Sequence, residues 1–144
     1  MPTSFIVAGE LRMTTPPLFI ILCSQDRDKM QMGAMMASVG AVSDRPVHVF
    51  VSMGAIKAFD KTVEGPARYT DSPFSAEFVE KNAPDPVDLF SQGKMLGDMT
   101  VHACSMVLDV LGWEEDRLTP DLFDGQLGLT KFLSDAEQGQ LITL

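Results

Sequence analysis

Three things are scarce in this chain of 144 residues: cysteine, basic charge and long apolar runs. Its two cysteines, Cys23 and Cys104, are too few for the disulfide framework of a small secreted domain. No apolar run approaches the roughly 18 residues that a membrane-spanning helix needs. The opening MPTSFIVAGELRM has no basic region, and its apolar stretch Phe5–Ala8 is too short for a signal peptide. The expectation is a cytoplasmic protein with reduced thiols and no transmembrane segment. Eleven Lys and Arg stand against twenty Asp and Glu, a net charge of −9. Residues 1–70 are nearly balanced, seven against six, while residues 71–144 hold four against fourteen. Phosphate-backbone binding needs clustered Lys and Arg, so no nucleic-acid partner is expected.

Motifs are missing as well. Cys23, His48, His102 and Cys104 lack the spacing of zinc ligands, so no metal is expected. The glycine-rich dinucleotide and nucleotide fingerprints are absent, and so is the G-x-S-x-G nucleophile elbow. A flavin would want small donors cradling its phosphate after the first buried strand, where Cys23–Asp28 (CSQDRD) offers two acids. No organic cofactor is expected either.

What remains is an ordinary globular composition, 45% hydrophobic and 22% charged, at a length suited to one domain. Residues 1–17 read as a lead-in ending at Pro16 and Pro17, and residues 18–144 as a single domain. LFIILC (18–23) has the continuous apolar character of a strand buried on both faces. A helix is expected over Asp28–Val42, introduced by the capping side chains of Ser24–Asp28. Its apolar residues, Met30, Met32, Ala34, Met35, Met36, Ala37, Val39 and Ala41, occupy more than one stripe. One stripe suffices to cover a sheet, so the surplus points to a contact with another subunit. The ten methionines of the chain read chiefly as adaptable packing.

VHVFVS (47–52) is a second strand and 53–61 a short helix, with Gly54 expected to let the backbone turn. Residues 62–85, with three prolines and a short helix near Ser75–Lys81, break the rhythm. They read as a surface excursion, or as a lid or subunit-contact loop. A helix over 86–95, a strand over 99–104 and a helix over 105–111 follow, the last stopped by Gly112 in a left-handed cap. Asp121–Phe123 is a candidate minimal strand, followed by a helix over Leu127–Glu137 and a last strand over 140–144. The pattern predicts a three-layer α/β/α domain on a mainly parallel sheet of about five strands, joined by right-handed crossovers.

Ligands of such sheets bind at the carboxyl ends of the strands. Four segments are expected there: Cys23–Gln25, Ser52–Gly54, Cys104–Ser105 and the turn near Asp124–Gly125. Both cysteines fall on that edge, each before a helix start, where the helix dipole favours a thiolate. Placement alone makes either cysteine a candidate nucleophile, with Ser24, Ser52, Gly54, His102 and Ser105, and Cys23 where Cys104 is the nucleophile, as candidate pocket residues. Either cysteine also fits as a small buried hydrophobe. Strand alternation puts His102 on the face of Cys104, to pair with the thiolate or merely to make a hydrogen bond. His48, inside a strand, reads as structural. A redox pair of Cys23 and Cys104 requires Cα atoms within about 7 Å.

HACSMVLDVLGW (102–113) resembles the signature of the DsrE/DsrF-like family of small sulfur-relay proteins, through Ala103, Cys104, Ser105, Met106, Asp109, Val110, Leu111 and Gly112. HVFVSMGAIKAF and the closing GLTKFLSDAEQGQLITL add to the likeness, which covers about 18–144 and is weak across 62–85. Val107 and His102 depart from that branch's usual pattern. The resemblance implies a DsrEFH-like fold, flavodoxin-like in outline, and cysteine-based sulfur transfer. Cys104 would hold a persulfide received from a protein donor and pass it to an acceptor thiol, with no cofactor. It also implies a homo-oligomer, a trimer or hexamer. Glu114–Asp116 beside Trp113 is either a partner surface or a solvated turn. The competing expectation is a non-catalytic oligomeric binding or regulatory subunit in which Cys104 is structural.

Overall fold

The computed structural model describes residues 3–7 and 10–144. Strands β1 (Thr3–Val7) and β2 (Glu10–Thr14) pair antiparallel from Thr3↔Thr14 to Val7↔Glu10. The expected lead-in thus contains a sheet of its own. It ends, as expected, at two prolines, which have no amide to extend a ladder.

The domain proper is built on five strands, all parallel, in the order β6-β5-β4-β3-β7. These are β3 (Leu18–Leu22), β4 (Val47–Val51), β5 (Met99–Cys104), β6 (Gln126–Leu127) and β7 (Gln140–Thr143). β3 and β4 are interior and apolar, and every residue of β3 is buried. α1 (Arg27–Val42) follows β3, and α2 (Ala55–Ala58) follows β4. α3 (Ser75–Glu80) and α4 (Pro86–Leu96) precede β5, α5 (Ser105–Leu111) follows it, and α6 (Leu129–Ala136) joins β6 to β7.

Register and alternation sort the sheet into two faces. Leu18, Val47 and Met99 align across β3, β4 and β5, as do Ile20, Val49 and Val101. That face meets α1 and α4: a Cβ added at Gly40 would touch Val47 and Leu18, and one at Gly93 would touch Met99 and Ser38. A Cβ at Gly33 or Gly93 would displace the side-chain ends of Leu22 and Met99, and at Gly93 it would also press on the backbone of Ser38 in α1, so Gly93 helps set how closely α4 approaches α1. The opposite face carries Phe19, His48 and Thr100 in one row, then Ile21, Phe50 and His102. There Phe132 of α6 packs against Phe19 and Phe50, at ring separations of 5.6 and 5.1 Å. One eight-residue helix is thin cover, and a cleft of about 280 Å³ opens beside it, lined by His48, Thr100, His102, Leu127, Phe132 and Asp135 among others.

Several local expectations need correction. The fourth strand is Gln126–Leu127 rather than Asp121–Phe123. Asp121 takes a left-handed φ of 61°, which breaks extension, while Leu122 is used as a fully buried core residue. Asp124 still follows β5, its amide bonding Val101 O at 2.7 Å and its carboxylate accepting from Val101 N at 2.8 Å. The last helix consequently begins at Leu129, not Leu127. The helix after β4 is a single turn, and the left-handed residue at its entry is Met53 (φ 50°), with Gly54 in ordinary helical geometry. Gly112 does cap α5 in the left-handed region, at φ 67°.

Residues 62–85 are pinned to the loop between β3 and α1. Thr70 N donates to Gln25 O and Arg27 N to Thr70 O, Gln25 Nε2 donates to Arg68 O, and Asp28 N to Ser72 Oγ. The stretch is a fixed wall at the carboxyl edge, tied down mostly through backbone groups.

Candidate functional site

The sheet carries both thiols to its carboxyl edge and onto one face. Leu22, Val51 and Ala103 are aligned, so the next residues, Cys23, Ser52 and Cys104, form a row. It continues the face of Ile21, Phe50 and His102. Ser52 N donates to Leu22 O at 2.8 Å, keeping the ladder intact to the rim. β4 lies between β3 and β5, so at about 4.8 Å per strand the two cysteine Cα atoms stand roughly 10 Å apart. That exceeds disulfide reach, which rules out the redox pair in this fold.

The two thiols differ in environment. Cys104 is the N-cap of α5 and only 5% exposed, and its side chain makes no capping hydrogen bond. Cys23 is half-buried and its amide donates to Leu144 O at 2.7 Å. Burial pushes the Cys23 thiol above its ordinary value; Lys29 pulls the other way, and the charge of Cys104 adds to the rise. Cys23 is the more accessible thiol, and its burial disfavours the thiolate.

Of the other candidates, Ser52 is buried in the row and Ser105 is the half-buried first residue of α5. Ser24 Oγ accepts from Asp26 N at 3.1 Å, so it shapes the loop leading to α1. Gly54 borders Cys23 O and Gln25 at ordinary contact distances, so its lack of a side chain is not demanded there. His102 is two residues before Cys104, about 7 Å along the strand, and lines the cleft under α6. His48 Nδ1 shares a 2.8 Å hydrogen bond with Thr100 Oγ1, and its ring stacks on Phe19 at 4.7 Å, the structural role expected. Burial lowers the His48 pKa, against smaller opposing effects of Asp98 and Asp135. Asp124 and Gly125, expected at the carboxyl edge, instead precede β6; Asp124 pairs with Lys94, and the edge position passes to Leu127–Gly128.

Among the described residues, no cluster of three or more His, Cys, Asp or Glu could hold a metal ion. Nor is any helix among them long and apolar enough to cross a membrane. In the Trp113–Arg117 turn, Arg117 stacks over Trp113 at 4.5 Å and clamps buried Asp60 with bonds of 2.9 and 3.0 Å. The acidic run Glu114–Asp116 thus directly precedes the cation of a structural ion pair.

Sequence reasoning missed Arg27. It is 4% exposed, with its guanidinium carbon 5.0 Å from the Tyr69 ring and 5.2 Å from that of Phe78. Its one signal in the sequence was a cation wedged between Asp26 and Asp28 at a helix start.

No family model matches the chain, and neither does any curated protein. Among solved structures it is similar to the protein of unknown function MTH1491 from Methanobacterium thermoautotrophicum. The TM-score is 0.53 at 16% sequence identity, over 90% of this chain and 99% of that one. A likeness at that identity is one of fold, and the fold it shares with this chain is a small α/β domain.

Proposed function

We propose that this chain is a cysteine-based sulfur carrier in which Cys104 holds the transferred sulfur. The observation that carries the reading is the position of Cys104, at the end of a central parallel strand and the N-cap of the following helix, in one row with Ser52 and Cys23. Amide dipoles at a helix start favour an anionic sulfur, and a strand end holds it in a fixed place. In the first step the Cys104 thiolate attacks the outer sulfur of a donor persulfide. The donor S–S bond breaks, the donor leaves as a thiolate, and Cys104 becomes Cys–S–S⁻. An acceptor thiolate then attacks that outer sulfur and restores Cys104. No electrons are gained or lost overall and no cofactor takes part. Burial at 5% exposure shields the persulfide from water and sets a requirement: the donor group must be slim or the edge must open.

Met32, Met35, Val39 and Val42 are all about half exposed or more, and lie three or four residues apart on α1. This spacing supports the proposed homo-oligomer, a trimer or hexamer, formed through the outer face of α1. A cytoplasmic location and protein donors and acceptors belong to the same proposal. The second reading, a non-catalytic subunit, draws on the same burial and on the missing capping bond, both of which suit a packing cysteine. Peptide mapping after incubation with a persulfide donor separates the two. Sulfur carriage places the added sulfur on the peptide holding Cys104 and loses it in Cys104→Ser; the packing role leaves that peptide unmodified in the native protein.

A further inference from the structure

Arg27 is a buried cation whose guanidinium is only partly used. Nε donates to Gln31 Oε1 at 3.1 Å, and the two aromatic rings cover the planar group. Among the described residues, no carboxylate forms an ion pair with it and no acceptor meets its Nη atoms. Buried charges are normally paired, and cation–π contact supplies only part of what lost hydration costs. No fully buried side-chain nitrogen in the described residues lacks a partner, so the Nη end reaches open space. The larger space it lines is a cleft of about 560 Å³ between the start of α1 and the wall formed by residues 66–80. That volume suits a small ligand.

The clamp is rigid. Tyr69 OH donates to Asp85 Oδ2 at 2.8 Å and accepts from Val87 N at 3.1 Å, which fixes the ring that carries Arg27. Asp71 and Glu80, both exposed, line the same cleft along with Val79 and Ala76. A cleft lined by one guanidinium and two exposed carboxylates disfavours a phosphate dianion. It suits a molecule with a carboxylate at one end and an ammonium group at the other.

We propose that this cleft binds a small zwitterion of the free amino acid or short peptide class, its carboxylate on Arg27 and its ammonium group toward Asp71 and Glu80. The inference is independent of sulfur carriage, because its ligand needs no sulfur. The test is an amide NMR titration of the full chain with trialanine, trialaninamide, N-acetyltrialanine and inorganic phosphate. Trialanine is expected to give saturable shifts centred on Thr70–Ser75. Either blocked peptide is expected to bind at least about tenfold more weakly, the loss of one charged hydrogen-bonded contact. Arg27→Met should abolish the shifts. Asp71→Asn with Glu80→Gln, two exposed positions, should weaken binding several-fold while leaving the free spectrum folded. Failure of trialanine to bind, equal binding of a blocked peptide, or a preference for phosphate overturns the assignment.

Discussion

Cys104 and Cys23 occupy the same row yet differ in access, and that difference follows from how far each strand reaches. Cys104 is the last residue of β5, still paired with Leu127, and is 5% exposed, whereas Cys23 lies one residue past the end of β3 and is half-buried. An alkylating reagent applied to native protein should therefore modify Cys23 well before Cys104, and mass spectrometry of the digests reads the order directly. Equal rates would mean that the edge opens readily. Two titrating groups give a second residue-level expectation. Bonds from Arg117, followed by those from Thr62, hold the Asp60 carboxyl well below its usual value of 3.8, burial opposing them. The stability it contributes is complete above that value and is lost as the pH falls through the lowered one. Burial depresses the His48 pKa below 6.5, so the unfolded chain takes up that proton first, and stability declines as the pH falls below 6.5. Urea midpoints against pH should thus fall in two stages. His48→Gln should flatten the upper stage and Asp60→Asn the lower; unchanged curves would contradict these assignments.

At the scale of elements, packing sets narrow tolerances. A Cβ at Gly97 would overlap the carbonyl of Ala41, where α4 ends against α1. Gly97→Ala should cost about 1–3 kcal/mol by overpacking, read as a lower denaturation midpoint. At Gly112 a Cβ meets open space, and the cost there comes from the left-handed φ of 67° alone, about 1–2 kcal/mol. Gly112→Asn should recover part of it, while no side chain recovers Gly97. Asp85 caps α4 through Val87 N and also anchors Tyr69, so Asp85→Ala should lose more than the ~1 kcal/mol of an ordinary cap. The long buried strands were legible because LFIIL and VHVFV have only one way to hide their side chains. Helices α1, α4 and α5 were legible from caps and stops such as Asp26, Pro86 and Gly112. The two-residue strand Gln126–Leu127 was not, since its pairing is set by β5 rather than by its own composition. Nor was the docking of Thr70 onto Gln25 and Arg27, which runs through backbone groups that carry no sequence signature.

For the whole molecule, sequence placed both thiols on one sheet edge, but strand order decided their separation, and order depends on contacts distant in the chain. The same holds for Arg27, whose aromatic partners lie more than forty residues away in sequence. If copies assemble through α1, Val39→Lys with Met35→Lys should turn the assembly into monomers in sedimentation velocity while leaving the far-ultraviolet spectrum unchanged. Identical sedimentation of wild type and variant would place the interface elsewhere or remove it. The proposed function turns on one atom, the sulfur of Cys104. Cys23→Ser makes it the sole thiol, and intact mass after incubation with a persulfide donor then reads it alone. The account predicts a gain of about 32 mass units, one sulfur atom, on the folded protein, removed by a reducing thiol. A folded variant that keeps its original mass, while the urea-unfolded chain takes up sulfur, would contradict it.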